Sequence, residues 1–254
     1  MDTLNTRQKT LLSMIQNQGA VSVHALFSEI EASEATIRRD LTHLEDRHLI
    51  VRRRGEAFAV KKSLESAFQQ REQLYKEAKQ KIARIAASHI DEHDTIILDA
   101  GTTTLEIARL LSNYNDLTIL TNSLPIANVI APTSLSLSLA GGHLFSQNMS
   151  TQGPDAEAFF KKVEVGKSFI GASGIRRLVG LETLNPFEAE IKKLMVNAAK
   201  KVYGVVDSSK FDTAGINVFC NFSDLDYLIT DKPIQDEETL ALLKRQGVEV
   251  LLPS

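Results

Sequence analysis

Cys220 is the only cysteine among 254 residues. An internal disulfide is therefore excluded, and a reducing compartment fits. Proline is absent before Pro125, so helices and strands are expected to run unbroken through the first half of the chain. No apolar run approaches the roughly 18 residues that span a bilayer. Residues Met1 to Arg7 carry no apolar stretch behind a basic start, so no secretory leader and no membrane partner are expected. The expected location is the cytoplasm. No Gly-x-Ser-x-Gly elbow and no P-loop lysine motif occur. Basic excess is lacking too: the formal net charge is −3, which speaks against a nucleic-acid surface spread over the whole chain.

The charge is uneven. Residues 1–62 hold 10 basic and 8 acidic side chains, and the remainder holds 19 and 24. Between 47 and 62, Arg47, Arg52, Arg53, Arg54, Lys61 and Lys62 face Glu56 alone. A basic collar near one end of an acidic body is a local footprint for phosphate.

Three short helices are legible before this collar. The first spans about Thr6 to Gln18, with Leu11, Leu12 and Ile15 on one face and Gly19 as its left-handed cap. After an extended Val21-Ser22-Val23, the second spans about His24 to Glu31. Ser33 opens the third as its N-cap, and this helix runs to about Arg47 with Ile37, Leu41 and Leu44 as its buried stripe. Thr36, Arg38, Arg39, Thr42 and His43 face outward. Leu49-Ile50-Val51 and Ala57-Phe58-Ala59-Val60, around a turn at Gly55, read as a two-stranded wing with Arg52, Arg53 and Arg54 at its tip. Two helices joined by a short turn, the second showing Thr and Arg to solvent, form a groove-reading element. Ser33, Thr36, Arg38, Arg39, Thr42, Arg52, Arg53 and Arg54 are the candidate DNA contacts. Whether Arg38 or Arg39 meets a guanine edge or a phosphate is left open by the sequence.

Ser33-Glu34-Ala35-Thr36-Ile37-Arg38-Arg39-Asp40-Leu41, followed by Leu44, closely resembles the recognition helix of the DeoR family of bacterial regulators. Arg7-Gln8, Ile15, Gly19, Val21 and Val23 fit the same spacing. The wing departs: the family usually has His-Gly-Gly-Ala after its arginine, and here the chain reads Arg53-Arg54-Gly55-Glu56-Ala57.

Residues 61–94 read as a helical connector, with Leu64, Phe68, Arg71, Tyr75, Ala78, Ile82, Ile85 and His89 in steps of four and three. It is expected to pack within the fold rather than on a partner chain. From Thr95, short β-branched or leucine-rich runs alternate with helical segments. The strands are expected at Thr95–Leu98, Leu117–Leu120, Leu135–Leu139, Ser168–Ile170, Val202–Val206, Tyr227–Ile229 and Val248–Leu251. Helices are expected at about 103–112, 124–131, 155–162, 186–200 and 236–246. The fold class that follows is α/β, an N-terminal winged helix-turn-helix over 1–60 and a larger α/β domain over 95–254 with a mostly parallel sheet.

Polar or glycine-rich loops follow four of these strands. Asp99-Ala100-Gly101-Thr102-Thr103-Thr104 opens a helix whose free N–H groups suit an anion. Thr121-Asn122-Ser123, Ala140-Gly141-Gly142 and Asp207-Ser208-Ser209-Lys210-Phe211 follow in the same way, and Lys210 adds a cation. Each loop alone is ordinary turn chemistry; the shared position after strands makes them candidates for one ligand site. His89 and His93 are four apart with acids nearby, but Asp91–Asp94 reads as a turn, so no metal and no cofactor are expected.

In this order the four loops resemble the effector domain of the same family, which is similar to the ribose-phosphate isomerase and sugar-phosphate-binding fold. The resemblance covers about Arg71 to Leu252. It implies that Gly101, Thr102, Thr103, Asn122, Gly141, Gly142 and Lys210 line a pocket for a phosphorylated sugar or related metabolite. Asp99, Thr104 and Ser123 stand in the same loops, and Lys192 lies in Glu188-Ala189-Glu190-Ile191-Lys192, a segment also like the family's. Family members often have an aspartate in the loop after Phe169-Ile170-Gly171, where this chain has Ala172-Ser173-Gly174, then Arg176 and Arg177. An isomerase needs positioned acids there, so the expectation is a repressor of a sugar or carbohydrate catabolic operon and not an enzyme. It would bind double-stranded operator DNA as a homodimer or homotetramer, on the nucleoid when bound. The alternatives are an isomerase-like enzyme with a DNA-binding head, using Glu188 or Glu190, and a regulator controlled by a protein partner.

Overall fold

The computed structural model describes residues 4–18, 20–30, 32–47, 49–53, 55–59 and 64–253. The chain divides into two compact units, Met1–Ala67 and Phe68–Ser254.

The first unit holds α1 (Thr6–Gln18), β1 (Ala20–Ser22), α2 (Val23–Glu29), α3 (Glu34–Asp46), β2 (Ile50–Arg53) and β3 (Glu56–Ala59). Leu11, Ile15, Leu26, Ile37, Leu41 and Leu44 are fully buried and form its core. The Ser33 hydroxyl accepts from the Thr36 N–H at 3.3 Å, as the N-cap expectation requires. Helix α2 starts at Val23, which the sequence places in an extended piece, and it ends at Glu29. The expected helix end at Glu31 and the cap expected at Gly19 lie outside the described residues, as does Arg54. The wing has three strands instead of two, in antiparallel order β1-β3-β2, because Ala20–Ser22 pairs with Glu56–Phe58. A buried charge joins two helices. Asp40 on α3 accepts from Arg7 Nε at 2.5 Å and Gln8 Nε2 at 3.0 Å, both on α1. Pairing offsets the cost of burying that carboxylate.

The chain continues through α4 (Leu64–Gln73) and α5 (Lys76–Ala87). Next come β4 (Thr95–Leu98), α6 (Thr102–Leu110), β5 (Thr118–Thr121), α7 (Leu124–Ile130) and β6 (Ser136–Leu139). A hairpin of β7 (His143–Phe145) and β8 (Ser150–Gln152) precedes α8 (Pro154–Phe160) and β9 (Val165–Ile170). β10 (Gly174–Arg176), β11 (Gly180–Thr183), α9 (Pro186–Asn197), β12 (Ala199–Val205) and β13 (Asn217–Asn221) follow. β14 (Tyr227–Ile229), α10 (Glu237–Arg245) and β15 (Glu249–Leu251) close the chain.

The seven expected strands are the seven strands of one parallel sheet, in the order β15-β14-β12-β9-β4-β5-β6. The chain winds from β4 outward to β6, returns to place β9 on the other side of β4, and then winds outward to β15. The direction of winding therefore reverses between β4 and β9, and such a reversal opens a crevice at the carboxyl ends of the strands. Ile82, Ala83, Leu105, Ile107, Ile126 and Ile130 cover one face of the sheet, from α5, α6 and α7. Phe160, Ile191, Met195 and Leu243, from α8, α9 and α10, cover the other. The hairpin β7-β8 and the antiparallel sheet β10-β11-β13 are additions that the alternation of strands and helices does not reveal.

The connector differs from the single helical stripe. Residues 61–63 are not described. The helix breaks at Leu74-Tyr75, where Tyr75 takes a left-handed conformation with φ 54°. The buried stripe of α5 is Lys79, Ile82, Ala83 and Ala86, displaced from the expected Ala78, Ile82, Ile85. As expected, this half packs within the fold.

Candidate functional site

A cavity of about 250 Å³ opens at the winding reversal. The β4–α6 loop gives it Ala100, Gly101, Thr102 and Thr103; the loop after β9 gives Gly171, Ala172 and Ser173. Asp207 and Lys210 come from the loop after β12, Glu188 and Lys192 from α9. Arg71, Leu74, Tyr75 and Lys79, from the α4–α5 junction, close its wall. The first amides of α6 have no intrahelical acceptor and carry the positive end of the helix dipole. With Arg71, Lys79 and Lys210 they make a setting for an anion.

Asp99 organises this floor from beneath. It is fully buried. Its Oδ1 accepts from the Gly101 N–H at 3.0 Å and the Thr104 hydroxyl at 2.9 Å. Its Oδ2 accepts from the Gly171 N–H at 3.0 Å and from Lys192 Nζ. Lys192 Nζ also donates to the Gly171 carbonyl at 2.8 Å. One carboxylate thus ties two strand-end loops and α9 together. Gly101 is required here: a Cβ at this residue would come 2.9 Å from Asp99 Oδ1. Burial pulls the Lys192 pKa down, but the Asp99 and Glu188 carboxylates more than offset this and hold it above its ordinary value.

Among the described residues, Lys79 is the other buried cation, 4% exposed. Its Nζ donates to the carbonyls of Arg71 and Leu74, capping the end of α4. Burial pushes its pKa down to about 8, against the attraction of Asp207. Asp207 is 1% exposed, and its Oδ1 accepts from the Ser209 N–H at 3.1 Å. Its Oδ2 is buried and has no partner among the described residues. An unsatisfied acceptor that lines a cavity is a place for a hydroxyl donor. Glu188 Oε2 accepts from Asn148 Nδ2 at 2.9 Å, and Arg71 donates to Asn148 Oδ1 at 2.8 Å.

Of the ligand residues named from sequence, Gly101, Thr102, Thr103, Lys192 and Lys210 line this cavity. Asp99 and Thr104 lie under it. Asn122, Ser123, Gly141 and Gly142 are not in its wall. Asn122 Nδ2 donates to the Thr151 carbonyl at 2.9 Å, and Ser123 caps α7. Gly142 has φ 129° and would put a Cβ 2.6 Å from the Gln152 carbonyl. Arg176 pairs with Glu182, Arg177 with Asp236 and Glu238. Glu190 pairs with Lys193 on the exposed side of α9. His89 packs against Tyr203 and Tyr227 with its ring tilted 58° and 52° to theirs, while His93 pairs with Asp116 at 2.6 Å. These two histidines do not converge, and among the described residues no group of three metal-binding side chains does.

On the head, Ser33, Arg38, Arg39 and Thr42 are exposed along α3, with Thr36 half-buried. Arg52 is not free at the wing tip. Its Nε and backbone N–H donate to Glu45, each at 2.8 Å, and its Nη2 reaches the Thr42 hydroxyl at 3.0 Å. It fastens the wing to α3. Arg53 pairs through its backbone with Glu56.

Both halves match family models. The DeoR-like helix-turn-helix domain matches residues 7–63, and the DeoR C terminal sensor domain matches residues 75–232. The chain belongs to the DeoR family. It is 32% identical to the putative aga operon transcriptional repressor of Escherichia coli O157:H7 over 97% of this chain and 93% of that protein. It is 33% identical to the HTH-type transcriptional regulator IolR of Bacillus subtilis, over 89% and 90%. The HTH-type transcriptional repressor GlcR of Bacillus subtilis is 30% identical over 97% and 95%. Among solved structures, ribose 5-phosphate isomerase A from Methanocaldococcus jannaschii aligns over 54% of each chain at 17% identity, with a TM-score of 0.40. This DeoR-family regulator therefore carries a DNA-binding head and a small-molecule sensor domain. None of its helices among the described residues is long and apolar enough to cross a membrane.

Sequence reasoning about this DeoR sensor missed that Arg71 and Lys79 line the cavity. A signal was present. Lys79 shares a helical face with Ile82, Ala83 and Ala86, and a charge on an apolar stripe calls for a partner or a ligand.

Proposed function

We propose that the protein represses a sugar or carbohydrate catabolic operon and that a phosphorylated sugar or related metabolite in the 250 Å³ cavity controls its grip on operator DNA. The observation that carries this is the pairing of chemistries in one cavity. The α6 amides with Arg71, Lys79 and Lys210 suit a phosphate, and the unpartnered Asp207 Oδ2 suits a sugar hydroxyl. The α4–α5 junction forms part of the wall, and α4 leads along the chain from the head. A ligand that binds one placement of α4 better than another shifts the population of head positions. Two or four copies place heads on operator half-sites about one helical turn apart or a multiple of it. The protein acts as a sensor and not as an enzyme, in the cytoplasm of a bacterium and on its nucleoid when bound to DNA. Glu188, the one α9 carboxylate in the wall, is already engaged by Asn148 and Lys192, which supports this.

Thermal melting of the purified protein against a panel of phosphorylated sugars tests the reading. A ligand at 100 times its Kd adds about 2.7 kcal/mol, a rise of roughly 5–10 °C for a domain of this size. Thr103→Ala should reduce that rise. No rise across the panel would remove the sugar-phosphate assignment.

The pH dependence has a definite sign. With Lys79 at about 8 in the folded protein and about 10.4 when unfolded, the unfolded chain holds the extra proton between these values. Stability of the ligand-free protein therefore gains from Lys79 as pH rises through that window. Ligand affinity moves the other way. The ammonium faces Asp207, Lys210, Arg71 and Glu106, and an anion is held better while it is charged. Kd for the ligand should rise above pH 8, and Lys79→Met should flatten that rise. A Kd independent of pH from 7 to 9.5 would show that Lys79 does not contact the ligand.

A further inference from the structure

Arg38 and Arg39 are sequence neighbours, yet α3 sends them to different sides of the head. At 3.6 residues per turn, Arg39 lies about 150° around the helix from the centre of the buried stripe of Ile37, Asp40, Leu41 and Leu44, and Arg38 about 110°. Arg39 shares the outermost stripe with Ala35 and Thr42, all exposed. It has no hydrogen bond, ion pair or ring contact among the described residues.

Arg38 turns towards α2. Its guanidinium carbon stands 5.2 Å over the centre of the Phe27 ring. Its Nη2 is 3.9 Å from Glu34 Oε2, and both side chains are 63% exposed, so solvent screens most of that attraction. Arg38 and Phe27 line a notch between α2, α3 and the wing, together with His24, Arg52 and Gly55. Arg52 is neutralised there by Glu45 at 2.7 Å. Among the described residues, Arg38 is the arginine of the notch whose charge is not closely matched.

A helix-turn-helix lays its second helix in the major groove and its first across the phosphate backbone. An arginine on the outermost stripe of α3 meets base edges. One pressed against α2 meets the backbone. We infer that Arg39 reads a guanine edge through its two-pronged fork, and that Arg38, held over the Phe27 ring, grips a backbone phosphate in the notch. Phe27 is a positioning residue. The cation–π contact holds the guanidinium beside α2 without using up its N–H donors. This division rests on the operator-binding reading above.

The test is selection of binding sequences by the full chain from a pool of random-sequence duplexes, followed by titrations at several salt concentrations. Arg39→Ala should lose sequence information at one or more G·C positions, while its affinity for a random duplex stays within about twofold. Arg38→Ala should keep the wild-type consensus. It should bind consensus and random duplex alike about tenfold more weakly, and lower the slope of log affinity against log salt by about 1. Phe27→Leu should weaken binding with the consensus unchanged, with a circular dichroism melt checking that the head is folded. An intact consensus in Arg39→Ala, or an altered one in Arg38→Ala, overturns the division. A wild-type chain that enriches no sequence removes the operator-binding reading, and the division with it.

Discussion

Lys192→Met is expected to cost about 3–5 kcal/mol of stability, because it leaves the Asp99 carboxylate buried without its cation. For a unit the size of Phe68–Ser254 that is a fall in Tm of about 6–20 °C. The size of the effect follows from the number of parts that meet at Asp99. The β4–α6 loop, the loop after β9 and α9 all converge on its two oxygens. Both partners are within 5% of full burial at the side chain, so water cannot replace the lost ammonium. The double variant Asp99→Asn with Lys192→Met should recover much of the loss, since removing both charges also removes the unpaired one. The pair has a pH signature as well. Lys192 is held above its ordinary value, so its contribution is fully present below the unfolded pKa and is lost only as pH rises through the folded one. A single variant that melts within 2 °C of the wild type would show that solvent reaches Asp99 and that the pair does not hold the loops together.

The same residues mark where the sequence could be read and where it could not. The inner strands of the parallel sheet, such as Thr95–Leu98 and Thr118–Thr121, bury three of their four residues and show in the sequence because burial on both faces demands a near-continuous apolar run. The edge strands Ser136–Leu139 and Glu249–Leu251 hold no fully buried residue and show by their place in the alternation of strands and helices. The strands missed are of another kind. In β8, Ser150, Thr151 and Gln152 are all buried although all are polar, and β11 buries Glu182 and Thr183. Part of this polarity is met by tertiary partners. The Thr151 hydroxyl donates to the Ala140 carbonyl at 2.7 Å, and Glu182 accepts from the Gly215 N–H at 2.8 Å. Hydropathy patterns carry no trace of partners distant in sequence. The candidate site divides in the same way. The Gly101–Thr103 turn and Lys210 are legible because strand-to-helix loops have recognisable chemistry. Asn122 and Gly142 have the same chemistry and serve packing. Arg71 and Lys79 enter the cavity only because Tyr75 breaks the connector, and a left-handed tyrosine has no sequence signature.

Leu41→Ala should weaken DNA binding more than tenfold and leave the sensor folded. Leu41 is fully buried in a core made only of head residues, among Leu11, Leu26, Ile37 and Leu44. Truncating a buried leucine costs about 2–5 kcal/mol. A head of this size, Met1–Ala67, has roughly 3–10 kcal/mol in total at 0.05–0.15 kcal/mol per residue, so a large share of heads would be unfolded at 37 °C. The cores that hold the sheet, around Ile97 and Ile191 on one face and Ile96 and Leu105 on the other, include no residue of the first unit. Calorimetry should therefore show the sensor transition within a few degrees of the wild type while affinity for DNA falls by more than tenfold. Limited proteolysis should cleave within α1 to β3 in the variant and spare the remainder. If DNA affinity stays within twofold and the head resists protease as before, the core around Leu41 closes over the missing side chain and the head is more stable than its size allows.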